Sequence, residues 1–331
     1  MKIRTILVAG LVVIGLLLIL HIFISHLSSR PVIQFSTSAG FSYGQFINNG
    51  ASIIASQGDQ CNLYIWNVNG QVERVLTKLC EVSNLNSLGQ TLLLSNNTLL
   101  IREARSGDGD AAIFDLTNGE LITQFPGPKI TSGMDFDPIH NRIIAGGQNN
   151  TATIRDAVTG DVIQTLQGHD QAITDTDFSP DGNTALTASR DGTARVWDVA
   201  SGINLQVLRG HTRPVLSVSV SPDGTQAVTA SEDGSVRVWN LSDGREIWSV
   251  GPATPGPMRE SARYSQSGLF IAAGDWLTGS VQILDVETGT LLDEFDTNGN
   301  YLHRGLAVSP DDQHVLTITD EGVFLTQIYP G

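Results

Sequence analysis

The sequence predicts an all-β fold of small repeated units stacked into a ring, a β-propeller, behind one membrane-spanning helix. Three observations predict it. The phrase FSPDGNTALTASRDGTARVWD (Phe178 to Asp198) returns 42 residues later as VSPDGTQAVTASEDGSVRVWN (Val220 to Asn240), with thirteen identities in twenty-one positions. Units of this length cannot bury a core alone and must stack on neighbours. Within each copy, short runs rich in β-branched residues, such as TALTAS and ARVWDV, are separated by Asp-Gly and Ser-Gly turns of hairpin type. Beyond residue 30 no window sustains a 3.6-residue apolar period.

In chain order, residues 1–30 come first as a short tail, helix and tether. The run ILVAGLVVIGLLLILHIFI (Ile6 to Ile24) is apolar except for His21. A helix of about 20 such residues crosses the ~30 Å hydrocarbon core, whereas a cleaved signal has an apolar region of about 7–15 residues and a small-x-small site. ISHLSSRP offers no such site. Lys2, Arg4 and the terminal amine precede the run and Arg30 follows it, a bias that puts the N-terminus in the cytoplasm and residues 31–331 outside it.

Residues 31–331 are read as the propeller. Aligning on the Trp-Asp pair gives Trp66-Asn67, Phe114-Asp115, Arg155-Asp156, Trp197-Asp198, Trp239-Asn240 and Leu284-Asp285, with spacings of 48, 41, 42, 42 and 45. A seventh anchor falls near residue 326, where GVFLTQIYPG ends the chain before the unit's last strand. An open sheet edge is an aggregation liability, so VIQFS (Val32 to Ser36) is assigned as the outer strand of the last unit. Seven blades result, closed by pairing the N- and C-terminal strands.

The recurrent G-H, S-P-D-G, S-x-D-G and W-D elements resemble the WD-repeat β-propeller family, most closely at residues 168–240. The resemblance implies a hydrogen-bonded chain in each complete blade, His169–Ser189–Asp191–Trp197 and His211–Ser231–Asp233–Trp239. A nucleophile–base–acid triad would be needed once, and here the set occurs twice, so the reading is structural: a satisfied network leaves no free nucleophile. Asp108 and Asp110 in SGDGDAA lack the further oxygen ligands of a calcium loop. No catalytic, cofactor or metal site is read, and the chain is expected not to be an enzyme.

The resemblance further implies a non-catalytic protein–protein interaction platform that docks its partner on the face formed by the loops entering each blade and those before the Trp-Asp strand. That face maps to Trp276, Arg190, Arg213, Glu232, Gln171 and Arg105, with Asp275 and Glu321 beside them; aromatic and Arg residues dominate such interfaces. A propeller enzyme or ligand sensor would instead need convergent His or carboxylate residues on the inner strands, and none is placed there by this reading. Setting aside Lys2, Arg4 and Arg30 leaves 16 basic against 34 acidic residues, a balance that repels nucleic-acid phosphates. Cys61 begins the strand NLYIWN and Cys80 follows the adjoining strand QVERVLT, so both lie at one end of a hairpin. A disulfide between them is expected, in an oxidising compartment.

Overall fold

The structure, a computed structural model, describes residues 32–329 apart from 37–40, 58–59, 78, 84–87, 96–97, 104–110, 126–129, 148, 252–258, 276, 298–301 and 320. The anchor expected at Ile6 to Ile24 lies outside the described residues. Among the described residues no helix is long and apolar enough to cross a membrane.

From Ile33 onward the chain forms one compact unit. Seven four-stranded antiparallel sheets make it up. Blades 1 to 6 occupy residues 41–76, 88–125, 130–167, 173–209, 215–250 and 259–296, and blade 7 occupies 302–327. Strands a to d run from the centre of the ring outward. Blade 7 draws its strand d from Val32–Ser36, so the two ends of the chain close one sheet. The antiparallel order fixes two ends. The a–b and c–d turns lie at one, the base, and the b–c turns and d–a loops at the other, the loop face.

The Trp-Asp alignment is an alignment of register. Trp66 faces Ile53, Phe114 faces Leu99, Arg155 faces Ile143, Trp197 faces Ala185, Trp239 faces Ala227 and Leu284 faces Ile271. Thr326 faces Val315 at the seventh place. Large residues on strand c are thus opposed by smaller or aliphatic ones on strand b.

Seven apolar clusters hold the ring together, one in each space between adjacent blades. Trp197 packs toward blade 3 and Trp239 toward blade 4. At the closure, Phe35 and Phe41 each place a ring 5.7 Å from Trp66, and Tyr64 stacks on it at 5.4 Å. Trp248 lies in the outer strand of blade 5 and donates its indole N–H to the Val286 carbonyl of blade 6 at 2.8 Å.

The inner strands approach closely. Gly133 of blade 3 has φ +61, and a Cβ there would lie 2.4 Å from Cα of Asp175 in blade 4. A side chain at that place would push two blades apart, and the left-handed backbone conformation is one that glycine alone adopts at little cost.

Candidate functional site

In blade 4, His169 Nδ1 lies 2.7 Å from Oδ2 of Asp191, and its Nε2 lies 2.8 Å from Oγ1 of Thr187. The indole N–H of Trp197 donates to the same Thr187 hydroxyl at 2.8 Å. Blade 5 repeats this with Asp233, His211, Thr229 and Trp239 at 3.0, 2.7 and 2.9 Å. An ionised carboxylate only accepts, which places the proton on Nδ1; Nε2 of the neutral ring then accepts from the threonine hydroxyl, whose oxygen accepts from the indole N–H.

This corrects the role assigned to Ser189 and Ser231. They do not link His to Trp. Ser189 donates to the Gln171 carbonyl at 2.9 Å and accepts from the Asp191 N–H at 3.1 Å, and Ser231 binds the Pro214 carbonyl and the Asp233 N–H in the same way. The physical reason is register. Ser189 pairs with Ile173 at the end of strand b, while Thr187, two residues earlier on the same side of the strand, sits ten residues before the indole. The sequence signal was available, since TALTAS and AVTAS both place a threonine two residues before the serine.

Burial opposes ionisation of Asp191, but hydrogen bonds from His169 and Thr193 outweigh it and hold the carboxyl well below the usual range. Asp233 behaves likewise through His211 and Ser235. Each carboxylate also accepts a backbone N–H from the d–a loop, Asp170 or Thr212, at 3.0 Å. The network therefore clamps loop-face loops to the strands beneath.

On that face Gln171 and Arg190 are exposed, and Arg213 pairs with Glu232 at 3.6 Å with 63% of the arginine side chain open to solvent. The turn of blade 4 lies beside the loop of blade 5, for a Cβ on Gly192 would come within 3.5 Å of the Arg213 carbonyl. These four residues thus share one region across two blades. Trp276 and Arg105, with Asp108 and Asp110, lie outside the described residues. Asp275 is not a surface group: it is buried, and its Oδ1 accepts from the N–H groups of Leu277 and Thr278.

Cys61 and Cys80 are joined in a disulfide, with Cα atoms 5.5 Å apart. It ties the start of strand c in blade 1 to the short helix Leu79–Ser83 that leads to blade 2.

The central channel overturns the expectation that no carboxylates converge on the inner strands. Asp135 of blade 3 accepts from the Phe178 N–H of blade 4 at 2.8 Å. Asp175 and Asp177 of blade 4 accept from Val218 and Val220 of blade 5 at 3.1 and 2.7 Å. Arg263 of blade 6 reaches back to Asp175 at 3.0 Å and Ser217 at 2.6 Å. Burial drives the carboxyls of both Asp135 and Asp177 upward, and the Asp135 charge adds to the rise at Asp177. Together with Tyr43, Gln90 and Thr174, Asp175 and Arg263 line a small polar recess. The alternating carboxylates of TDTDF were the signal for this cluster.

Two stretches of the chain, residues 160–198 and 202–240, match the family model described as WD domain, G-beta repeat. With the seven-bladed ring, that match supports the WD-repeat propeller family for this chain, a class whose members are generally scaffolds for protein partners. No curated protein matches the chain.

Proposed function

We propose that this protein is a membrane-tethered, non-catalytic interaction platform, anchored by Ile6 to Ile24 with its N-terminus in the cytoplasm and its propeller outside, and that it engages a protein partner with the loop face. One observation carries the reading: the residues that resemble catalytic machinery are consumed in structural bonds, while Gln171, Arg190, Arg213 and Glu232 stand together and accessible to solvent. The ring makes the blades rigid, and specificity then rides on their loops. The disulfide supports the outside orientation, because such bonds persist in oxidising compartments.

The test is affinity purification of the tagged full chain from its native membranes after mild cross-linking. A near-stoichiometric protein present with the natural sequence and lost with Trp276→Ala or Arg213→Glu is the expected result. The same protein retained in both variants would overturn the loop-face reading.

A second reading rests on the channel. Asp175, Arg263, Ser217 and Gln90 converge on one recess, which suits a small polar ligand with both donors and acceptors. Native mass spectrometry separates the two: a bound small molecule lost on Arg263→Ala would favour the ligand sensor over the platform.

A further inference from the structure

The outer strands of blades 2 to 6 each carry one unpaired β-bulge residue near the base: Ile122, Ile163, Leu205, Ile247 and Leu292. A bulge leaves its residue outside the ladder and turned from the neighbouring strand. In blade 7 the counterpart is Val32. A Cβ on the base-turn glycine of blades 4, 5 and 6 meets the third residue of the preceding outer strand, where Gly202 meets Gln164, Gly244 meets Gln206 and Gly289 meets Trp248; in blade 1 the equivalent glycine, Gly70, meets Ile33. Val32 therefore precedes Ile33 as Ile163 precedes Gln164, and the chain enters the ring at the base. These six aliphatic side chains are between 41% and 54% exposed; blade 1 has Glu73 at this place.

The base turns add to this collar. Ile139 and Leu269 in a–b turns and Val158 and Ile203 in c–d turns are between 61% and 70% exposed. Among the described residues, the large exposed apolar side chains nearer the loop face are Leu277 and Val75.

We infer that the base of the propeller, through this aliphatic collar, rests in the interfacial layer of a lipid bilayer. The inference rests on the anchor reading. Residues 25–31 separate Ile24 from Val32, and seven residues span at most about 25 Å, so the base edge at which the chain enters stays beside the bilayer. Aliphatic side chains presented from one side of a protein bind an interface in proportion to the apolar area they bury. The base also carries carboxylates, among them Asp115, Asp156, Asp198 and Asp285, each of which accepts a backbone N–H in its own turn. Those charges oppose anionic lipid, so the surface that fits is a zwitterionic one.

The experiment uses the full chain reconstituted in phosphatidylcholine vesicles, with a nitroxide on Ile163→Cys, Leu205→Cys or Ile247→Cys and, as control, on Leu277→Cys. The disulfide leaves no other thiol to label. Accessibility to oxygen relative to a water-soluble nickel chelate is expected to be several-fold higher at the three base positions than at Leu277. Equal ratios at all four overturn the collar while leaving the anchor intact, provided the chain resists carbonate extraction. Release by carbonate overturns the anchor reading and the collar with it. Base labels shielded from both reagents are covered by protein, a second copy or a partner, and that also overturns lipid contact.

Discussion

A single hydroxyl, that of Thr187, satisfies both the indole of Trp197 and one nitrogen of His169, and Thr229 does the same for Trp239 and His211. Thr187→Val keeps the shape and removes the hydroxyl, leaving a buried N–H and a buried imidazole nitrogen without partners. We expect a loss of about 1–3 kcal/mol in denaturant unfolding, against a change within about 0.5 kcal/mol for the exposed Arg190→Ala. The carboxylates give opposite pH responses. Asp191 and Asp233 titrate lower folded than unfolded, so their contribution is fully present above the unfolded value of about 3.9 and is lost as pH falls below it. Asp177 titrates higher when folded, so its protonated form is favoured and its contribution declines as pH rises from about 3.9 through the raised value. Asp177→Asn can still donate to Asp135 and accept from Val220. It is expected to flatten the fall in stability on the alkaline side of that window, whereas Asp191→Asn lowers stability at neutral pH. Unfolding curves collected across pH decide both.

At the scale of the element, the closing strand Val32–Ser36 matters most, because the ring has an open edge without it. Phe35 is packed against Trp66 across the closure, and Phe35→Ala is expected to cost about 3–5 kcal/mol. An unchanged melting curve would show that the strand is not needed to hold the ring. Breaking the disulfide with Cys61→Ser and Cys80→Ser should cost about 3 kcal/mol, the entropy of the loop it closes. This strand was legible in the sequence because the last unit stops one strand short, and the blade positions were legible because Trp-Asp pairs and their weaker equivalents keep a period set by register. The threonine relay was not seen, since two hydroxyl residues on one strand end differ in reach and only the backbone geometry separates them. The channel carboxylates were missed because the partners that hold them, backbone N–H groups of the next blade, leave no mark in the sequence.

At the scale of the whole molecule, the ring supplies a rigid frame and three distinct surfaces: a loop face held by the buried networks, a polar channel and an aliphatic base. The platform reading assigns the partner to the first. In sealed membrane vesicles with the cytoplasmic side inward, protease added outside is expected to reach the propeller, and protection of residues 31–331 would put the propeller in the cytoplasm. The most direct measurement is cross-linking mass spectrometry on the chain held by its captured partner in native membranes. The platform reading predicts links that converge on the loop face around Gln171, Arg190, Arg213 and Glu232. Links confined to the base or the outer strands, with none at that face, would contradict it.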